Sequence, residues 1–538
     1  MCGSARILWL WLSRLETKML VSTKLLKMAA KQEAERLSDA KQRLLSSCIQ
    51  GAATLSSPAS EKIPRRVADE PAPLALAQEQ VWRRSLRACD SPAIYNETIT
   101  IHRNGPLDIS ILRRCFAEIL RRHEAWRTTF AVVNDVPIQI IHPVPVSREI
   151  PIFDLQSCPA ELREAEATCL VSALAHEPFD LARGPLLRPF VIKMESELYR
   201  FTLVAHQSII DGFSAYQLFP AELAALYEAF SQGKGTTLPD LPIQFSDFSV
   251  WQRGWLNEAR VKKQCEYWKN QLAGCLVALD WPSRSDAHFQ ERYRGAILPF
   301  ALPESLGQDL KGMARSESVT LFMVLLAGYV AVLHSYTDQP DIIVATLSPS
   351  GRKRLETQQL LGYFLNPVLL RFRLPGEINF RHLLSQARSV VSDVIAHDDV
   401  PMESLAAHLG LAAGRDPLVK FAITLQPRTS DLGSAWSVTT MDAQNGGSPW
   451  DLYLSFIEQG RGLIGRAQYN PDMFEEKTIR ATIQDLMALL EHAVSEPGMN
   501  VKNLLQRSAQ QPAAARNDSL THANNSCCES DARRPEAI

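Results

Sequence analysis

The stretch Val204-Ala205-His206-Gln207-Ser208-Ile209-Ile210-Asp211-Gly212-Phe213-Ser214 decides the reading of this chain. The run Tyr199–Ala205 has a strand-like pattern and delivers His206 to its end. Asp211-Gly212 follows as a turn five residues later, and an amphipathic helix is expected from Phe213 to Phe230. A strand end, a polar turn and a helix start in succession place several polar side chains at one rim of a sheet.

Working outward, the pattern is that of an α/β protein. Upstream, Leu107, Ile111, Leu112, Phe116, Ile119 and Leu120 recur at helical spacing, and Ile138–Ile141 reads as a strand. Gly233–Thr237, with Pro239 and Pro242, is a loop. A second alternating set starts near Gly295. It comprises a helix over Leu321–His334, strands over Asp341–Leu347 and Phe364–Phe372, and a helix over Phe380–Ala396. Strands over Lys420–Leu425 and Asp451–Ile457 and a closing helix over Glu476–Val494 complete it. At 538 residues the chain exceeds one hydrophobic core, so two mixed lobes are expected. The expected organisation is an N-terminal helical extension and linker over 1–70, lobes over 71–255 and 256–505, and a disordered polar tail over 506–538.

Further elements stand in fixed order around the central stretch. Leu76-Ala77-Gln78-Glu79-Gln80-Val81-Trp82 is similar to S-x-A-Q-x-x-x-W, and Arg122–Phe130 to R-H-E-x-L-R-T-x-F with Trp126 for Leu. Phe245–Gln252 is close to Y-x-D-F-A-V-W-Q, and Gly362–Pro367 to G-x-F-V-N-T with Pro367 for Thr. His397–Glu403 is similar to H-Q-D-V-P-F-E, and Arg415–Leu418 to a shortened R-D-x-S-x-x-P-L. With these, the central stretch resembles the His-His-x-x-x-Asp-Gly motif of the condensation domains of nonribosomal peptide synthetases, with Gln207 at the second histidine.

The resemblance implies a V-shaped pair of chloramphenicol-acetyltransferase-like lobes with the active site at their interface. It implies amide-bond formation between acyl groups carried on phosphopantetheine arms. Those arms belong to partner carrier proteins served by adenylation modules, so the chain itself needs no cofactor. It assigns His206, Gln207, Asp211 and Gly212 to the catalytic site. Asp211 is a structural residue in the family, held by an arginine; Arg127 is the expected partner and Arg122 the next choice. Gly212 gives the arm close approach, and a backbone N–H near it is placed to polarise the thioester carbonyl. Trp82, Asn366 and Met402 are candidates for the substrate tunnel, with core packing the alternative for Trp82 and Met402. His206 shares a strand face with Thr202 and Val204 and reads as an orienting residue.

Gln207 leaves two readings open. Histidine titrates near neutrality and can take a proton from an attacking amine, whereas glutamine cannot. A lost base slows a reaction by about 10²–10⁴, and positioning of two arms alone still supplies a large effective molarity. One reading is therefore a weakened acyltransferase. The other is a catalytically inactive domain that binds carriers or recruits a partner enzyme.

Composition closes off other classes. Lys plus Arg total 57 and Asp plus Glu 59, which gives no electrostatic drive towards nucleic acid or anionic membrane. The ten cysteines show no metal-site spacing and suggest a reducing, cytoplasmic setting. The apolar run Ile7–Leu12 falls short of the ~20 residues a membrane span needs. No G-x-S-x-G, G-x-x-x-x-G-K-[ST], G-x-G-x-x-G after a strand or H-E-x-x-H occurs, and no metal site is expected. Ser208 beside His206 lacks an assignable acid for a serine triad.

Overall fold

The computed structural model describes residues 62–504 apart from 68–69, 89–92, 146–148, 275–278, 280, 282–292, 375, 402–404, 406–419, 440–443 and 460–461. The expected N-terminal helix, the polar tail, Met402 and the element 415–418 lie outside the described residues. The first run of elements is β1 (Ala72–Pro73), α1 (Leu76–Arg87), β2 (Asn96–Asn104), α2 (Ile109–Arg122), β3 (Thr128–Val133), β4 (Val136–Ile141), β5 (Ile152–Asp154), α3 (Arg163–His176), β6 (Leu187–Glu195), β7 (Leu198–His206), α4 (Phe219–Ser231), α5 (Phe245–Trp255) and α6 (Glu258–Leu272). The second is β8 (Ala296–Leu302), α7 (Glu304–Ser316), α8 (Leu321–Thr337), β9 (Asp341–Ser348), β10 (Asn366–Arg373), α9 (Phe380–Ile395), β11 (Phe421–Gln426), β12 (Trp436–Thr439), β13 (Leu452–Gln459), β14 (Gly462–Tyr469) and α10 (Glu476–Ser495).

Among the described residues the strands form two large mixed sheets and one small one. The first is ordered β12-β2-β7-β6-β5, the second β10-β9-β11-β13-β14-β8, and β1-β4-β3 stands apart. Each large sheet carries helices on a core of its own. In the first, Ile99, Ile101 and Leu203 pack with Phe116 and Ile119 of α2 and with Phe219 and Leu223 of α4. In the second, α8 is buried continuously from Met323 to His334 among residues of β9, β10 and α10. A helix apolar on every side must be enclosed by protein, so α8 acts as the spine of this half. Among the described residues, no single helix is long and apolar enough to cross a membrane.

Two details position the site. First, β12 comes from the second run yet pairs antiparallel with β2 of the first sheet, Val438 opposite Ile101. Trp436 and Val438 enter the first core with it. Second, the helix expected from Phe213 begins with a wide turn over Ser214–Leu218 and becomes α4 only at Phe219. Pro220 occupies the first turn of α4, where its missing N–H is no loss, so the irregular turn falls just before it.

Candidate active site

β7 runs antiparallel to β2 with Ala205 opposite Glu97 and His206 opposite Asn96. Because side chains alternate along a strand, this register sends His206 and Glu97 to opposite faces of the sheet. His206 is buried, and its ring stands edge-on to Tyr95 and Phe179 at 6.3 Å between centroids. Its Nδ1 lies 2.7 Å from Ser208 Oγ and takes the Ser208 backbone N–H at 3.3 Å. Its Nε2 lies 3.2 Å from Ser85 Oγ, and Ser85 donates in turn to the Val81 carbonyl. Burial pushes the His206 pKa down to about 3, so the ring is neutral at any ordinary pH. His206 therefore orients the turn that follows it. Among the described residues no carboxylate stands behind the imidazole, so the serine beside it forms no triad.

Gln207 opens a short 3₁₀ turn, Gln207–Ile209, and donates its backbone N–H to the Tyr95 carbonyl at 2.7 Å. It lines a cavity between the two large sheets, together with Asp211 and Gly212. Gln207, rather than His206, is thus the residue that faces this cavity.

Asp211 is fully enclosed, and its partner corrects the sequence expectation. The guanidinium that holds it belongs to Arg352, 141 positions on, through Nε to Oδ2 at 2.9 Å and Nη2 to Oδ1 at 2.7 Å. Arg352 also donates to Ser214 Oγ and the carbonyls of Thr357 and Leu360, and lies over the rings of Phe213 and Phe364. Arg127 instead bonds the His142 carbonyl and pairs with Glu124 at 3.6 Å. Arg122 pairs with Glu222 at 3.0 Å, and His123 meets the same carboxylate at 2.8 Å. Both arginines are engaged beside the helices of their own sheet. Asp211 lies where the 350–364 segment crosses from the other sheet, and Arg352 of that segment meets it bidentately.

The other sequence elements brace this crossing. Gln78 takes the Ala75 N–H and donates to the Ser208 carbonyl at 2.9 Å, fastening α1 to the turn. Phe245 and Phe248 of α5 pack on Phe364, with Phe245 edge-on at 4.9 Å. A Cβ at Gly362 would stand 2.4 Å from the Phe245 ring, which explains glycine there. Asn366 is buried and donates to the Asp398 carbonyl at 2.5 Å, while its neighbours Leu365 and Pro367 line the cavity. Trp82 lines a separate hollow beside His206, with Phe130 and Phe179.

Sequence reasoning passed over several residues that the fold gathers here. Tyr95, Glu97, Tyr363, Gln426, Tyr453, Arg466 and Gln468 all line the cavity with Gln207. They come from β2 and the residue before it, the segment before β10, β11, β13 and β14, and apart from Tyr363, at an unspecified position of the Gly362 element, none belongs to a short spacing motif. Arg352, a few residues beyond the strand predicted to end at Leu347 and followed by the Gly362 element, carried the only available cue. Among the described lining residues Glu97 is the sole carboxyl besides Asp211. Burial pushes its pKa up, offset in part by Arg466.

The pattern of the Condensation domain family matches residues 68–513, most of the chain. The chain belongs to the condensation-domain family. It is 34% identical over 439 residues to one of the linear gramicidin synthase proteins of Brevibacillus parabrevis, covering 80% of this chain and 8% of that synthase. It is 31% identical over 458 residues to phosphinothricin tripeptide synthetase PhsB of Streptomyces viridochromogenes, covering 82% of this chain and 37% of the synthetase. The chain thus spans a minor part of these relatives' lengths. Two solved structures share the fold, each at 20% identity and a TM-score of 0.70. The match to the X-domain from teicoplanin biosynthesis covers 82% of this chain and 99% of that one. The match to the first condensation domain of the calcium-dependent antibiotic synthetase covers 81% and 99%. The two-lobed α/β architecture of this condensation domain is therefore that of the chloramphenicol-acetyltransferase-like fold.

Proposed function

We propose that the protein is a condensation-type acyltransferase that joins a carrier-bound acyl thioester to an amine, with catalysis weakened at Gln207. The observation that supports this most is the intact frame of the site. Asp211, locked by Arg352, holds the turn so that Gln207 and Gly212 both face one cavity between the sheets. The Gln207 amide can accept a hydrogen bond from the amine or donate one to an oxyanion, although it cannot take a proton. The phosphopantetheine arms arrive on partner carrier proteins, and enclosure of both arms supplies the effective molarity. Adenylation modules would load those carriers.

A second reading draws on the same wall of the cavity. The motif's remaining histidine is turned away from it and held neutral. A domain so altered could act by binding carriers or a partner enzyme, and the teicoplanin X-domain has been solved in complex with OxyB. The test is amide formation from a loaded donor carrier and an acceptor amine, parent against Gln207→His. The acyltransferase reading expects product from the parent and a faster reaction in the variant, within the ~10²–10⁴ that a base supplies. Inert parent and variant that both still bind holo-carrier would leave the recruiting role.

A further inference from the structure

A cavity built for amine acylation, with glutamine at the place of the base, raises the question of where the proton goes. We propose that Glu97 is the general base of this cavity, receiving the proton that Gln207 cannot take. The proposal rests on the acyltransferase reading above.

Its first support is register. Gln207 N–H bonds the Tyr95 carbonyl, and Ala205 stands opposite Glu97, so residues 95, 97, 205 and 207 share one face of the β2–β7 pair. His206 and Asn96 occupy the other face. The motif's remaining histidine is thus excluded from the cavity by the same alternation that brings Glu97 into it.

The second support is surroundings. Glu97 is half-buried on the cavity wall, and no ion pair closes on it among the described residues. The charged and titratable groups that face it are Arg466 from β14, Tyr453 from β13, and Tyr95 and Tyr363, with Arg84 of α1 and Asp211 on the same cavity. Asp211 is committed to Arg352 and cannot serve. The tyrosines Tyr363 and Tyr453 are held protonated by burial. Arg466 Nε is buried with no partner among the described residues. Burial raises the basicity of the Glu97 carboxylate, and the Arg466 guanidinium offsets part of that rise without forming an ion pair with it.

The step balances without any added reagent. The acceptor enters as the free amine, and its nitrogen attacks the thioester carbonyl carbon. As the C–N bond forms, one N–H proton passes to the Glu97 carboxylate. The C–S bond then breaks, and the departing thiolate takes that proton back from the Glu97 carboxyl. Glu97 returns to carboxylate, and the products are an amide and a thiol.

The experiment uses octanoyl-coenzyme A as donor probe and leucyl-N-acetylcysteamine thioester as acceptor probe, with amide formed measured between pH 5.5 and 9. Glu97→Gln, which keeps shape and removes the base, should lower kcat by ~10²–10⁴ while leaving the donor KM within a few-fold. It should also remove the carboxylate limb of the pH–rate profile; the amine's own ionisation is common to both proteins and cancels in the ratio. Glu97→Asp should keep that limb at a reduced rate. Gln207→His should accelerate Glu97→Gln more than it accelerates the parent, with a new limb near the histidine range of about 6.5. A Glu97→Gln protein with parental kcat, or with the carboxylate limb intact, overturns the proposal while the acyltransferase reading stands. A parent that makes no amide at any pH overturns that reading, and Glu97 falls with it as a base.

Discussion

Removing the Asp211 carboxylate should show how much of this domain hangs on one crossing. In Asp211→Ala the Arg352 guanidinium, 6% exposed in its side chain, loses two charge-assisted hydrogen bonds of 2.7 and 2.9 Å. Breaking a buried ion pair from one side costs about 3–5 kcal/mol. Arg352 keeps Ser214 Oγ and the carbonyls of Thr357 and Leu360, which favours the lower end. Against that, the backbone N–H groups of Ser214 and Phe364 lose their acceptor as well. Each adds about 1 kcal/mol, so the total is roughly 5 kcal/mol. With an unfolding entropy near 2.1 cal/mol/K per residue over roughly 440 residues, that corresponds to a fall in Tm of about 5 °C. Calorimetry of the parent, Asp211→Ala, Arg352→Met and the double variant measures it. The cycle should return a coupling of about 2 kcal/mol or more, because Arg352→Met also removes the stranded charge. Single variants that melt with the parent, or changes that simply add, would refute a structural role for the pair.

Two further outcomes follow from the geometry. Burial lowers His206 to about 3 and His102 to about 4, against about 6.5 in the unfolded chain. Below pH 6.5 the unfolded state therefore binds protons that the folded state refuses, so the stability is complete above that pH and lost as it falls. The loss is at most about 1.4 kcal/mol per pH unit for each histidine, and Tm should drop between pH 7 and 5. His206→Asn should flatten that drop; an unchanged acid dependence would exclude His206 as its source. At Gly212 an added Cβ would stand 2.3 Å from Gln426 Oε1, the far end of a flexible side chain. Gly212→Ala should accordingly cost little stability, under about 1 kcal/mol, yet slow amide formation by displacing Gln426 into the cavity. Gln426→Ala in the same protein should recover the rate, and a rate unaffected by either change would show that this wall does not touch substrate.

Local chemistry written in consecutive residues was legible from the sequence. The strand ending at His206, the Asp-Gly turn and the α2, α8, α9 and α10 helices all announce themselves by spacing, because each depends on neighbours a few positions away. The ordered elements from Leu76 to the His397 segment likewise revealed the family, since each braces the crossing through its own local pattern. That glutamine stands at the motif's second histidine is a fact of the sequence alone.

Partners across the fold were decided elsewhere. Arg127 and Arg122 were the arginines expected to hold Asp211, but pairing is set by which backbone crosses the turn, and that is the segment bearing Arg352. The placing of β12 on the first sheet is equally invisible, because strand pairing between residues 101 and 438 depends on how both cores close. Glu97 gave no signal at all in its own surroundings, Asn96 and Thr98. It becomes a candidate base only because the β2–β7 register turns it to the face of Gln207 and β14 brings Arg466 opposite. A sequence records which side chains exist; the balance of burial and charge that makes one of them reactive is a property of distances, and distances between remote residues arise only when the chain is packed.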